Sequence, residues 1–272
     1  MVSDIDLRAA INAVSDVVQN RPPPLREFDQ IYMKTGDMVM QSEFVSRWAD
    51  SKRLAFVGDG DAISVCVAHM HSQGILETTP SEIVVFDFDE RMVNSVNRFA
   101  EAHEIPWLSA QLYNCLDPLP PVETFDYFYT NPPWGASNQG SSVHLFMRRG
   151  FELTNYRGDG VIVIGDDAEL EWTKEVLQSC QSYGLAANYY VSRMMPQLHS
   201  YHLDDAPLLR SCNLIFSPLS NGTPASTSTA VDPVDLDHFY GSGLSPEVRY
   251  VRDTKLRDPS HASSSDYRFD RF

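Results

Sequence analysis

The stretch Leu54-Ala55-Phe56-Val57-Gly58-Asp59-Gly60-Asp61 is a short apolar run stopped by a glycine turn, and a helical pattern from about Ala62 to Gln73, closed by Gly74, follows it. So short an apolar run between turn signals cannot make a helix and reads as a buried strand. The unit then repeats. Ile83–Phe88 leads into a helix opened by Asp89 and Glu90 and running to about Glu104, after which comes Leu108–Tyr113. Phe125–Thr130 precedes a helix carrying Val143, Phe146, Met147 and Phe151, and Gly160–Ile164 precedes one from about Ala168 to Tyr183. Short apolar runs alternating with amphipathic segments are the pattern of βαβ units around a parallel sheet. Ala187–Val191 and Asn213–Phe216 bring the strands to seven. Residues 193–210 between them are too long for a tight hairpin and are expected to leave the sheet edge as an excursion. The expected class is α/β with a seven-stranded, mostly parallel sheet.

Outside these units the chain changes character. Ser3 and Asp6 form a helix-cap pattern, with Ile5, Ala9, Val14, Val17 and Val18 at helical spacing; Pro22-Pro23-Pro24 ends that helix and Thr35 begins another. Residues 1–50 are expected as a helical arm and 51–220 as the main domain. Residues 221–272 are expected as a linker rich in Ser, Thr, Ala, Pro and Gly, then a tail that is disordered or peripherally docked.

With 272 residues, 43% of them hydrophobic, the chain can bury a sizeable core as one domain. Lys and Arg total 21 against 37 Asp and Glu, for a formal net charge of −16. Proteins that grip a phosphate backbone do so through clustered Lys and Arg, so the balance argues against nucleic acid. It suits a small cationic substrate, although acidity serving solubility alone gives the same balance. Cys66, Cys115, Cys180 and Cys212 are widely spaced with no CxxC pairing, and read as buried thiols of a reducing compartment; no metal is expected. Asp4 and Asp6 stand where a signal peptide is positive, and no run is apolar enough to span a bilayer, so a cytoplasmic location without a membrane partner is expected. A homodimer is left open.

In a doubly wound sheet, ligands bind beyond the carboxyl ends of the strands where strand order reverses. Gly58 and Gly60 allow close backbone approach and positive φ, beside a helix N-terminus. Asp59 and Asp61 would repel a phosphate and attract an amino, sulfonium or ammonium group. The loop also lacks GxGxxG and a P-loop lysine. A calcium-type or plain capping loop is the alternative, although the ligand spacing of an EF-hand is absent. Asp87 has the position to accept both hydroxyls of a ribose. Asp89 is a candidate base, or with Glu90 simply favours a helix N-terminus. Asn114 meets an adenine edge or is a turn residue.

The aromatic strand Phe125–Thr130 stops at Asn131-Pro132-Pro133-Trp134, because two prolines give a sheet no N–H. The turn presents an amide, the carbonyls of Asn131 and Pro132, and an indole plane, which together accept hydrogen bonds from an amino group and stack a flat or cationic partner. An ordinary loop after a buried strand is the alternative. Phe28-Asp29-Gln30 either closes a pocket or tucks the arm onto the core. Tyr201, His202, Asp204 and Asp205 either cover an acceptor as a lid or are a structural histidine and a solvated turn.

Taken in order, Phe-Asp-Gln (28–30), Gly-Asp-x-Asp (58–61), Phe-Asp-Phe-Asp-Glu (86–90), Pro-Leu-Pro (118–120) and x-Pro-Pro (131–133) are similar to the branched-chain polyamine synthases, over roughly Glu27 to Leu219. The resemblance implies a Rossmann-like class I methyltransferase fold and aminopropyl transfer from decarboxylated S-adenosylmethionine to a polyamine. The candidate donor-binding residues are Gly58, Asp59, Gly60, Asp87, Phe88 and Asn114. Asp61, Asp89, Asn131, Pro132 and Trp134 are the candidates at the reacting centre, and Asp29, Tyr201, His202 and Asp204 those for the acceptor. The chain departs from the family pattern in having Asn131 where a carboxylate stands, and Gly60 and Asn114 where Asp stands. It also has only a short helical remnant of an N-terminal winged-helix region. Asn131 increases the similarity to N-methyltransferases that use S-adenosylmethionine and hold a planar amino group of a nucleobase or amide. An inactive donor-binding or interaction module is a third reading.

Overall fold

The structure, a computed structural model, describes residues 5–204, 206–219, 227–240, 245–254 and 266–272. Its main sheet comprises β1 (Arg53–Val57), β2 (Glu82–Asp87), β3 (Leu108–Leu112), β4 (Tyr127–Thr130), β5 (Asp159–Gly165), β6 (Tyr189–Ser200) and β7 (Arg210–Pro218), in the spatial order β3-β2-β1-β4-β5-β7-β6. Strands β1 to β5 pair in parallel, and β7 runs antiparallel to both β5 and β6. This is the expected α/β sheet. From β1 the chain winds outward to β3 and then returns to the other side of β1 at β4. The strand order therefore reverses between β1 and β4, and a crevice opens at their carboxyl ends.

The central strands are apolar on both faces because helices cover both. Leu54, Phe56, Ile83, Val85 and Tyr129 face one layer, formed by α1 (Leu7–Asn20), α2 (Thr35–Trp48), α3 (Ile63–Ser72) and α4 (Glu90–Ala102). Ala55, Val57, Val84, Phe86 and Phe128 face the other, formed by α5 (Ser141–Leu153) and α6 (Glu171–Ala186). The Phe128 ring fits between Gly150 and Gly160, where an added Cβ would come within 2.1 Å of it. Among the described residues no helix is long and apolar enough to cross a membrane.

Two regions differ from the sequence expectation. The excursion after Val191 is instead a continuation of β6, which pairs with β7 as far as Ser200↔Arg210 through register shifts at Val191/Arg193 and Met195/His199. As an edge strand, much of it exposed, it carries no apolar run to mark it. The terminal region, expected to be disordered or peripherally docked, forms an antiparallel ribbon of β8 (Val248–Asp253) and β9 (Tyr267–Arg271) that docks on α4, a pairing the sequence expectation did not include. Val251 N donates to Phe88 O at 3.2 Å and Asn94 Nδ2 donates to Asp253 Oδ2 at 3.0 Å. Residues 227–231 are also held down: the buried Arg149 donates to Ser228 Oγ and Thr229 O, both at 2.8 Å. Residues 221–226 of the expected linker, Ser3 and Asp205 lie outside the described residues.

Candidate active site

A cavity of ≈ 250 Å³ opens at the carboxyl ends of β1, β2 and β4. The Gly58 turn after β1 has φ +72°, and an added Cβ would touch Phe146 at 3.4 Å, so the backbone passes close under the cavity. Gly60 also lines it, but there the left-handed φ falls on Ala62, at 62°, and not on the glycine.

The acidic side chains divide into two sets. Asp61 and Asp87 line the cavity. Asp61 Oδ2 accepts from Asn131 Nδ2 at 2.7 Å and its Oδ1 from Met33 N at 2.6 Å. Asp87 accepts from the backbone N–H groups of Asp59 and Asp89, at 3.1 and 2.9 Å. Asp59 and Asp89 are turned elsewhere and cap helices. Asp59 accepts from Ile63 N and Ser64 N at the start of α3, at 2.9 and 3.0 Å. Asp89 caps α4 through Arg91 N at 3.0 Å, pairs with the Arg91 guanidinium at 2.6 Å, and is fully buried. A carboxylate neutralised in this way has no path to a reacting nitrogen, so the alternative reading of Asp89, as a helix-capping acid, describes its position.

At the other wall, Asn131 spends both ends of its amide within the protein: Nδ2 on Asp61, and Oδ1 accepting from Trp134 Nε1 at 3.2 Å. Pro132, Pro133 and Trp134 line the cavity beside it. Trp134 stacks on Trp172, with centroids 6.4 Å apart, and meets Tyr201 edge-on at 5.1 Å. Asn114 lines the far end, with its amide satisfied by Arg249 O at 2.6 Å and Leu116 N at 2.9 Å. Asp29 lines the cavity in a left-handed conformation, φ 55°. His202 and Asp204 do not line it; they line a second, shallower cavity with Arg21, Arg26 and Tyr32.

The chain matches the family described as the branched-chain polyamine synthase A C-terminal domain, over residues 9–206. The chain belongs to the branched-chain polyamine synthase family. It is 30% identical over 146 residues to the N(4)-bis(aminopropyl)spermidine synthase of Thermus thermophilus, an alignment covering 52% of this chain and 38% of that protein. To the enzyme of the same name from Methanocaldococcus jannaschii it is 28% identical, over 43% of this chain and 33% of that one. The aligned stretches thus span well under half the length of these relatives. The crystal structure of the Thermus thermophilus branched-chain polyamine synthase, in complex with N4-aminopropylspermidine and 5′-methylthioadenosine, superposes with a TM-score of 0.65 at 21% identity, covering 84% of this chain and 68% of that one. A Pyrococcus horikoshii protein classed as an RNA methyltransferase superposes with a TM-score of 0.57 at 12% identity, covering 78% of this chain and 99% of that one. The fold is that of the class I methyltransferases.

In this branched-chain polyamine synthase fold the carboxyl groups gather where water is scarce. Burial pushes Asp87 up to about 7, the neighbouring Asp89 charge adding to the effect. Burial pushes Asp59 up to about 8 against the hydrogen bonds it accepts from α3, and raises Asp61 against those from Met33 and Asn131. Asp29 is raised in the same way, with Arg26 opposing. Carboxylates held in this state gain most from a ligand that brings its own positive charge.

Several lining residues carried no readable signal in the sequence. Phe88, a candidate for the donor, and Phe28, of the segment expected to close a pocket or tuck the arm onto the core, do line the cavity; Phe28 packs edge-on against Phe88, Tyr240 and Phe269 at 5.2, 5.1 and 5.5 Å, and Phe88 stacks on Tyr240 at 5.8 Å. Tyr240 thereby joins the cavity wall from a segment read as linker. Tyr113 lies just past β3, a position equivalent to Phe88 after β2, and could have been found by that rule. Trp172 could not. Among the described residues no group of three or more His, Cys, Asp and Glu is placed to hold a metal.

Proposed function

We propose that this chain transfers an aminopropyl group from decarboxylated S-adenosylmethionine to a polyamine nitrogen. The observation that carries the proposal is the charge of the cavity: among the described residues that line it, every ionisable acid or base of fixed sign is a carboxylate, namely Asp29, Asp61 and Asp87, with no Lys, Arg or His. A donor that carries a carboxylate on its sulfonium side chain, as S-adenosylmethionine does, would bring a further anion beside Asp61 and Asp87 with no Lys, Arg or His among the lining residues. A donor that bears a sulfonium and a free ammonium is attracted. The names of the matched relatives and the polyamine in the Thermus thermophilus complex support the same acceptor class.

In this reading Asp87 accepts from the donor's ribose hydroxyls, and Tyr113 and Asn114 flank the base. Trp134 and Tyr201 offer ring faces to the cationic centres. The acceptor's nitrogen lone pair forms the new C–N bond as the C–S bond breaks; the electron pair stays on sulfur, leaving neutral methylthioadenosine, and the nitrogen sheds a proton. An alkyl ammonium with a pKa of about 10 must lose a proton before it attacks. Asp61, buried and raised, is the base within reach of that centre, in place of the helix-capping Asp89. Positioning supplies most of the rate. The methyl-transfer reading draws support from the Asn-Pro-Pro-Trp turn, but the Asn131 carbonyl already accepts from Trp134, which argues against a planar amino group held there.

Calorimetric titration with each donor tests the proposal, followed by mass spectrometry of spermidine incubated with the protein and either donor. Tighter binding of the decarboxylated form and a mass gain of one aminopropyl group are expected. Tighter binding of the carboxylated form, or methyl transfer, would overturn the reading.

A further inference from the structure

Behind the acceptor wall runs a chain of buried polar groups that the transfer chemistry does not itself require. Tyr201 lines the cavity, and its hydroxyl lies 2.7 Å from Ser211 Oγ. Ser211 Oγ lies 2.8 Å from Nδ1 of His199, its cross-strand partner in β6, and His199 Nε2 lies 2.8 Å from Gln41 Oε1. Gln41 and Asn213 hold each other by reciprocal amide hydrogen bonds of 3.0 and 2.9 Å, and Gln41 also donates to Tyr129 at 3.2 Å. Tyr201, His199, Ser211, Gln41 and Asn213 are all buried.

The direction of this chain follows from its far end. Gln41 Oε1 can only accept, so His199 carries its proton on Nε2 and Nδ1 is an acceptor. Burial keeps the imidazole neutral, its pKa lowered to about 4 with the Asp37 charge opposing. Ser211 must then donate to Nδ1, and Tyr201 must donate to Ser211. The phenol proton points away from the cavity, and only oxygen lone pairs are left on the cavity side. Asn131, which donates to Asp61, lies beside the same hydroxyl.

We propose that His199 and Ser211 are positioning residues that fix the Tyr201 hydroxyl as a hydrogen-bond acceptor for the incoming amine. Tyr201 and Asp61 then form a recess that offers only acceptors around the reacting nitrogen. Such a recess favours a group that brings its own N–H donors, an ammonium or amine, over an ether, amide carbonyl or carboxylate of similar shape. The inference rests on the polyamine reading and deepens it, by assigning acceptor selection to a side chain and a relay outside the loops of Gly58 and Asn131.

The test measures spermidine binding by calorimetry, and acceptor and donor KM in steady-state transfer from decarboxylated S-adenosylmethionine. Tyr201→Phe, which keeps the ring packed on Trp134, is expected to weaken spermidine binding about 10-fold or more, the size of a hydrogen bond to a charged group, with donor KM unchanged. Ser211→Ala and His199→Leu should raise the acceptor KM in the same sense. His199→Asn, which keeps an acceptor at the Nδ1 position, should restore much of the loss. Thermal denaturation of each variant separates a folding defect from this effect, because a general loosening moves the donor and acceptor constants together. Spermidine bound equally by wild type and Tyr201→Phe overturns this inference alone, as does a His199→Asn variant no better than His199→Leu. Wild-type protein that binds no polyamine overturns both this inference and the proposed function.

Discussion

Replacing Asn131 by aspartate tests the geometry of the reacting centre more directly than any truncation. In the wild-type protein Asn131 Nδ2 donates to Asp61 Oδ2 at 2.7 Å, and Asp61 is 4% exposed. Asn131→Asp is nearly isosteric but turns that donor into a second acceptor. Two effects add. The hydrogen bond to a charged group is lost, at a cost of about 1.5–3 kcal/mol. Two carboxylates whose charge centres lie about 4 Å apart repel by a further ~4 kcal/mol at an effective dielectric constant of ~20. The folded protein can relieve the repulsion by keeping one proton on the pair, while in the unfolded chain both acids ionise near a pKa of about 4. The folded pKa is therefore raised above the unfolded one, the unfolded state binds fewer protons, and stability falls as pH rises from about 4 to the apparent pKa of the pair.

Urea unfolding of wild type and Asn131→Asp, followed by tryptophan fluorescence at pH 5 and pH 8, reads this out. The destabilisation should be larger at pH 8 by about 2–4 kcal/mol. Added spermidine, whose ammonium can sit between the two carboxylates, should recover more stability in the variant than in the wild type. An equal destabilisation at the two pH values would mean that residues 61 and 131 do not face each other, and the account of the reacting centre would fail with it.

Asp61→Asn should leave the donor able to bind and depress transfer about 100-fold or more, since a positioned base contributes on that order; rapid-quench measurement of product formed by donor-saturated protein checks it. Asp87 is pushed up to about 7 in the fold, so its contribution lowers stability progressively between pH 4 and pH 7; Asp87→Asn should flatten the slope of thermal midpoint against pH across that window, and an unchanged slope would count against the assignment. Arg149→Met should destabilise by about 3–5 kcal/mol, because it frees residues 228–229 and leaves Glu152, 6% exposed at its side chain, beside only the partly exposed Arg148; chemical denaturation measures it. Tyr240→Ala should loosen the ribbon of β8 and β9, seen as faster hydrogen exchange at Val251, with weaker donor binding and little change in the sheet.

The strands, their parallel arrangement and the loops that meet at the site follow from the amino-acid sequence because each depends on local pattern. Buried parallel strands must be apolar throughout, as Leu54–Val57 and Ile83–Phe86 are, and a chain that meets Pro132-Pro133 must turn. Asp61, Asp87, Asn131 and Trp134, which line the cavity, were legible for the same reason, as polar or aromatic residues at the ends of such strands or in the turns that follow them. The family motifs added the family and its fold.

Which carboxylate faces the ligand was beyond sequence. A carboxylate just before a helix can accept from the free N–H groups of that helix or from a substrate, and the same residue type at the same spacing serves both. Only the fold shows that Asp59 and Asp89 do the first, while Asp61 and Asp87 line the cavity. Likewise Tyr240 and the ribbon of β8 and β9 close on Phe28 through contacts between residues more than two hundred positions apart, and long-range packing of that kind leaves no periodic trace in the chain. The polarity of Tyr201 depends in the same way on a histidine, a serine and a glutamine that converge only when β6, β7 and α2 come together.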